Sequence, residues 1–362
     1  MIKEHFMADC IRTIKVNTTP AYDVSIGGGL LHNCGQYLKE VLAPCHVAVI
    51  TDSTVASLYL DTVSSSLKEA GFAVSSYIFS AGEANKTLGT LTEILEFLAE
   101  QRLTRTDCIV ALGGGVTGDM AGFAAAVYLR GIRCVQIPTT LLSAVDSSVG
   151  GKTAIDLKAG KNLAGAFLQP SAVLCDTSCL ASLPADVFAD GAAEAIKTGI
   201  LSDESLFSLF ETGHLETEPA EVIARCVAYK AGVVERDEKE QHERKLLNLG
   251  HTVGHAVEKC SGYSIAHGHA VAIGLAIIAR SAEKLGWTEE PIAERIVACL
   301  AKNGLPTGTE YSAEDLAHAA SADKKRAGSE ITLVIPKRIG VCELKKVPVA
   351  ELFFIISAGL EG

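Results

Sequence analysis

Short apolar runs alternate with amphipathic stretches through the first half of this chain, and that alternation leaves little choice of architecture. HVAVITD (46–52), AVSSYIFS (73–80), CIVALGGG (108–115) and CVQIP (134–138) each read as a strand, most of them closed by polar or glycine residues. Between them, 55–71 has helical spacing and stops at Gly71, and 87–101 sets Leu88, Leu91, Ile94, Leu95 and Leu98 on one helix face. Strands that alternate with helices pair in parallel, so a doubly wound α/β sheet is expected, led by a hairpin from TIKVNT and YDVSIGGG. After Pro184 the strand signals vanish for about 140 residues and helical patterns such as 219–236 and 270–284 take over. ITLVIP (331–336) and GVCELKKV (340–347) then suggest a small terminal hairpin. The expected division is an α/β domain over 1–182 and a mainly helical domain over 183–362.

Composition narrows the partners. A length of 362 residues suits two cores better than one. The formal net charge is −11 with no basic stretch, which argues against nucleic acid. The 11 cysteines are odd in number and lack a CxxC pair, and MIKEHFMADCIRTIKV has no apolar core of a secretory signal. Free thiols in a reducing, cytoplasmic compartment are expected. The longest apolar runs, 270–279 and 352–360, fall short of the roughly 20 residues that span a bilayer, so no membrane partner is expected.

Three stretches carry chemistry. ALGGGVTGDMAGF (111–123) follows a strand and opens a helix, and Gly113, Gly115 and Gly118 fit G-x-G-x-x-G. Such a turn lets backbone amides and a helix N-terminus meet a pyrophosphate. Here the motif follows a later strand rather than the first, and no acid closes a strand about 20 residues beyond it. Asp52, ending an earlier strand, is the better partner for an adenosine ribose. On the motif alone, a tight structural turn is an equally good reading. Asp119 adds an acceptor for a nicotinamide ribose or a substrate hydroxyl.

The second stretch, 139–167, is rich in small residues yet holds Asp146, Lys152, Asp156, Lys158, Lys161 and Asn162. Gly150 and Gly151 directly before Lys152 suit close backbone approach to a phosphate or carboxylate held by lysines. The third set contains Glu194 and Lys197, three apart on a helix, and four of the ten histidines: His251, His255, His267 and His269. Two histidines and one carboxylate suit a catalytic zinc site with an open position. Spacing leaves the choice among the four histidines open. A pairing of His251 with His255 remains possible, whereas His267 and His269, two apart on a helix, point away from each other.

Together these segments resemble the 3-dehydroquinate synthase family of sugar-phosphate cyclases. The resemblance runs through AGEANKTL (81–88), 111–131, 136–156, GKNLAGAF (160–167), GAAEAIKTG (191–199), KLLNLGHTVGHAVE (245–258), HGHAVAIG (267–274) and DKK (323–325). It implies a Rossmann-like NAD-binding α/β domain and a helical metal-binding domain. It places the metal ligands at Glu194, His251 and His267, for Zn2+ or another divalent ion such as Co2+, and leaves His255 to the substrate. NAD contacts fall on Asp52, Gly82, Glu83, Lys86, Gly114, Gly115, Val116, Thr117, Gly118, Asp119, Thr139, Thr140, Cys179, Leu180 and Ser182, with Asp146, Lys152 and Lys161 beside them. Substrate and catalytic positions fall on Arg130, Asp146, Lys152, Lys161, Asn162, Lys197, Lys230, Arg244, Asn248, His255 and the lysines Lys324 and Lys325.

The implied reaction converts 3-deoxy-D-arabino-heptulosonate 7-phosphate, a phosphorylated sugar acid, to 3-dehydroquinate and phosphate in the shikimate route to aromatic amino acids. It proceeds by transient NAD-dependent oxidation, phosphate elimination, re-reduction and intramolecular aldol closure, in a homodimer. Alternatives are another sugar-phosphate cyclase or an NAD- and metal-dependent polyol dehydrogenase. Arg244, Asn248, His251 and His255, spaced by four, three and four, are expected to share one helix face against the substrate, with Arg244 on its carboxylate. The chain departs from the family pattern at His269, where Glu is usual, and at Thr54, Cys179 and Ser182.

Overall fold

The computed structural model describes residues 11–322 and 329–360. The chain divides into two compact units. One comprises the chain through Leu183 together with Lys230–Glu235; the other comprises Pro184–Tyr229 and the chain from Arg236 onward.

The first unit holds β1 (Arg12–Val16), β2 (Tyr22–Gly27), β3 (His46–Asp52), β4 (Ala73–Phe79), β5 (Cys108–Gly113), β6 (Arg133–Pro138), β7 (Lys152–Leu157), β8 (Gly160–Phe167) and β9 (Ala172–Asp176). Seven of these form one sheet in the order β1–β2–β9–β6–β5–β3–β4. Every pairing in it is parallel except that of the edge strand β1 with β2. The pattern of β3 explains why it sits centrally. Val47 and Val49 face one buried layer with Leu38, Leu67 and Leu112, while Ala48 and Ile50 face the other with Leu91, Ile94 and Met120.

The expected helices form, with one correction. The helix Leu88–Glu100 is capped by the Thr87 hydroxyl and buries Leu91, Ile94 and Leu98, but Leu88 is 60% exposed. Side chains lean toward a helix's N-terminus, so a first-turn leucine has nothing beneath it. The hairpin β7–β8 and the strand β9 are additions to the expected strands; β9, AVLCD, is a short apolar run that the sequence reading passed over.

The second unit is helical, with Ala185–Ser202, His251–Cys260 and His267–Lys284 at its centre and a hairpin of β10 (Glu330–Arg338) and β11 (Val341–Pro348). Glycines allow the three central helices to approach closely. A Cβ on Gly268 would lie 1.9 Å from the carbonyl oxygen of Asp190, and one on Gly274 would lie 2.1 Å from that of Gly250. Among the described residues no helix is long and apolar enough to cross a membrane.

Candidate functional site

In the first unit, β3 is followed by β4 on one side while β5 lies on its other side, so the sheet order reverses between the carboxyl ends of β3 and β5. Ligands of open parallel sheets bind at such a switch point. The glycine motif therefore sits beside Asp52 in space although it follows a later strand. Thr117 Oγ1 donates to Asp52 Oδ2 at 3.2 Å, and Asp52 Oδ1 accepts the amides of Thr54 and Val55 at 2.9 and 3.1 Å. Two of the glycines are needed by packing as such. A Cβ on Gly113 would meet Thr117 Oγ1 at 2.5 Å, and one on Gly118 would meet Gln136 Oε1 at 2.9 Å. Gly114 caps the helix Gly115–Val127, so the amides of Gly115, Val116 and Thr117 open its first turn.

Around this turn stands a charge network centred on the buried Lys86. Lys86 Nζ lies 2.7 Å from Asp119 Oδ2 and donates to Asn162 Oδ1 at 2.6 Å. Burial opposes the Lys86 charge, but Asp119, Glu83 and Asp156 outweigh it and raise its pKa. Lys161 lies 3.6 Å from Glu83, just after Gly82 in its left-handed φ of +107°. Asn162, itself at φ +56°, gives its amide to Asp156 Oδ1 at 2.8 Å, and the Asp156 amide bonds the Lys86 carbonyl at 2.9 Å.

The Thr139 amide donates to the Gly113 carbonyl at 3.0 Å, and Thr140 Oγ1 lies 2.9 Å from Ser143 Oγ. Asp146, on a π-helical turn, pairs with the Lys230 ammonium. Lys152 opens β7 and is exposed. Arg130 is exposed at φ +69° between Leu129 and Gly131. Cys179 is buried, precedes Leu180, and takes the Ser182 hydroxyl on its carbonyl at 2.8 Å; Tyr59 OH lies 2.6 Å from Ser182 Oγ.

The second unit gathers the nitrogen and carboxylate donors. Glu194 is 1% exposed and pairs with Lys197 one turn on. His251 Nε2 and His267 Nε2 lie 3.5 and 3.3 Å from Glu194 Oε1. One ligand atom from each of Glu194, His251 and His267 falls within 4.8 Å of the others. The far nitrogens point outward: His251 Nδ1 is 3.1 Å from the Leu249 carbonyl and His267 Nδ1 is 3.4 Å from Glu258 Oε2. Each ring is therefore held by its Nδ1 with Nε2 facing the carboxylate, an N/N/O set that fits a divalent ion. Burial drives the His251 pKa down to about 3. Burial also opposes charge on His267, but hydrogen bonds to Glu194 and Glu258 raise its pKa to about 10.

His255 stands beside this trio, its ring edge-on to His251 at 5.3 Å. His269 is turned to Asp190, whose Oδ1 lies 3.1 Å from its amide and 3.2 Å from its Nδ1. The expectation that Arg244, Asn248, His251 and His255 share one helix is overturned. Arg244 and Asn248 lie on a separate turn, Glu243–Asn248, and the helix His251–Cys260 starts after Gly250 at φ +79°. A Cβ at Gly250 would meet Leu275 Cγ at 2.9 Å, so the chain bends there. Arg244 is buried, donates to the Glu238 carbonyl, and gives its amide to Asp237 Oδ2 at 3.0 Å. Asn248 donates to Glu240 Oε1 at 2.8 Å. Lys324 and Lys325 lie outside the described residues.

Sequence reading assigned nothing to Glu258, Asp190 or Glu240. For Glu258 a signal existed, since it follows His251 by seven and His255 by three and so shares their helix face.

Residues 76–190 match the family described as 3-dehydroquinate synthase N-terminal, and residues 191–326 its C-terminal counterpart. The chain is 42% identical over 340 residues to a 3-dehydroquinate synthase of Enterococcus faecalis, covering 92% of this chain and 95% of that one. Its fold is similar to a 2-epi-5-epi-valiolone synthase from Streptomyces hygroscopicus solved with NAD+ and Zn2+, at a TM-score of 0.85 and 26% identity over 94% of this chain and 97% of that one. It is also similar to a 2-deoxy-scyllo-inosose synthase complexed with carbaglucose-6-phosphate, NAD+ and Co2+, at a TM-score of 0.83 and 25% identity over 97% and 100% of the two chains. Matched in both halves and across nearly all of its length, this chain belongs to the 3-dehydroquinate synthase family.

Proposed function

We propose that this chain is a 3-dehydroquinate synthase, a lyase that turns 3-deoxy-D-arabino-heptulosonate 7-phosphate into 3-dehydroquinate and phosphate. The observation that carries the reading is the Glu194–His251–His267 cluster in a chain whose relative of that name is 42% identical over most of both lengths. NAD and one divalent ion serve it, with Zn2+ the first choice, a reading supported by the NAD+ and Zn2+ or Co2+ of the two similar structures. When bound, NAD supplies a hydride acceptor that returns the hydride, and the ion supplies a Lewis acid for a substrate oxygen.

The side chains do the rest. Asp52 Oδ2 accepts a ribose hydroxyl, and the first-turn amides after Gly114 meet the pyrophosphate. Lys86 pairs with Asp119 and fixes its position. The family resemblance alone assigns the substrate phosphate to Lys152, Arg130, Asn162, Lys324 and Lys325, and the carboxylate to Arg244 and Lys230. The same resemblance assigns the orientation of hydroxyls and the passing of protons to Asp146, Lys197 and His255. The protein works in the cytoplasm as a homodimer.

A second reading, a cyclase of another sugar phosphate, is favoured by the two similar structures, a 2-deoxy-scyllo-inosose synthase and a 2-epi-5-epi-valiolone synthase. Offering heptulosonate 7-phosphate, sedoheptulose 7-phosphate and glucose 6-phosphate side by side, with NAD and Zn2+ present, separates them. The acid should release phosphate fastest; faster release from either neutral sugar phosphate rejects the substrate assignment.

A further inference from the structure

Glu258 is 2% exposed on the helix that begins at His251, two turns beyond that residue. A buried carboxylate is costly unless something charged or protic meets it. The core face of this helix is already supplied by Val253, Ala256 and Val257, so packing does not call for an acid at 258. What Glu258 meets is the ring of His267. Its Oε2 lies 3.4 Å from Nδ1, while the opposite nitrogen of that ring, Nε2, lies 3.3 Å from Glu194 Oε1. The imidazole thus spans two buried carboxylates.

His251 is held in the same sense by a different acceptor, with Nδ1 at 3.1 Å from the Leu249 carbonyl. A metal-binding imidazole needs its lone pair on one nitrogen and its proton on the other, and the acceptor at the far nitrogen selects that tautomer. A neutral carbonyl does this for His251. An anionic carboxylate does it for His267, which also makes the ring a stronger donor.

Resting on the metal reading above, we propose that Glu258 is a positioning residue that fixes His267 as its Nδ1–H tautomer and strengthens its Nε2 as a ligand. Glu258 acts through His267 and does not itself bind the ion. His255, whose Nε2 lies 4.0 Å from the same Glu258 oxygen, is not needed for this effect.

The test measures Co2+ affinity by chelator competition on the folded protein, with the visible Co2+ spectrum as a report of coordination and urea unfolding of the metal-free protein alongside. Affinity should fall in the order wild type, Glu258→Gln, Glu258→Ala, with the alanine variant weaker by about 10–100-fold and the spectrum keeping its coordination number. Glu258→Gln keeps an acceptor and the side-chain volume, so it decides the matter if the alanine variant does not fold. His255→Ala should keep wild-type affinity.

Unchanged affinity in both Glu258 variants overturns the proposal, even if their metal-free stability falls. A changed coordination number in Glu258→Gln overturns it in favour of direct ligation through the His255, Glu258 and His267 group. Wild-type protein that takes up no Co2+ overturns the metal reading itself, and this proposal with it.

Discussion

Glu194 is where the chemistry concentrates at the scale of single residues. One carboxylate, 1% exposed, meets two imidazoles and an ammonium. Such a group is stable only while its partners remain. Replacing Glu194, His251 or His267 by Ala should weaken divalent-ion binding by more than about 100-fold, since loss of an outer partner already costs about 10–100-fold. Replacing His269 should not, because its ring is turned to Asp190 and its nitrogens do not fall in the Glu194, His251 and His267 group. Metal content after dialysis against a weak chelator checks both. A full equivalent kept by His267→Ala and lost by His269→Ala would reverse the ligand assignment. At this scale the sequence was legible in types but not in choice: spacing showed four histidines, and the family resemblance selected two. Glu258 went unread because a glutamate near a helix end usually marks a solvated face. Only the packing of Ala313–Ala322 and His267–Lys284 around its helix shows that it is buried.

At the scale of elements, three helices are brought close by residues without side chains. The helix His267–Lys284 touches Ala185–Ser202 at Gly268, where a Cβ would sit 1.9 Å from a backbone oxygen. Gly268→Ala should therefore force the two helices apart, at about 1–3 kcal/mol or more of stability. It should also loosen the ion, because Glu194 lies one turn beyond the contact at Asp190 and His267 directly precedes Gly268. Urea unfolding and a metal titration on the same variant check this; wild-type values in both would mean that the helices do not need their close approach.

Period made most elements readable. β3 alternates between two buried layers, and the helix Leu88–Glu100 carries Leu91, Ile94 and Leu98 on one face. The hairpin β7–β8 was not readable, because the few large apolar residues of KTAIDLKAGKNLAGAF are scattered among small and charged ones, and β8 has no fully buried position. The supposed single helix through Arg244 and His255 failed for a local reason. A three-and-four spacing continues across Gly250, but a left-handed residue at that point breaks the helix.

At the scale of the whole molecule, the order of strands does what no single motif does. It sets Asp52 beside the glycine turn where the sheet reverses direction, and so answers the late position of that turn in the chain. In the proposed function this unit takes a nucleotide that is reused rather than consumed, and the second unit takes an ion at Glu194, His251 and His267. The proposed reaction is a cyclisation with no net redox change. The most direct measurement gives the protein heptulosonate 7-phosphate with NAD in amounts below the substrate, and follows phosphate and reduced nicotinamide together. Phosphate should exceed NAD many times over while reduced nicotinamide stays flat after any initial transient. A stoichiometric rise of reduced nicotinamide without released phosphate would contradict the account and mark the protein as a dehydrogenase.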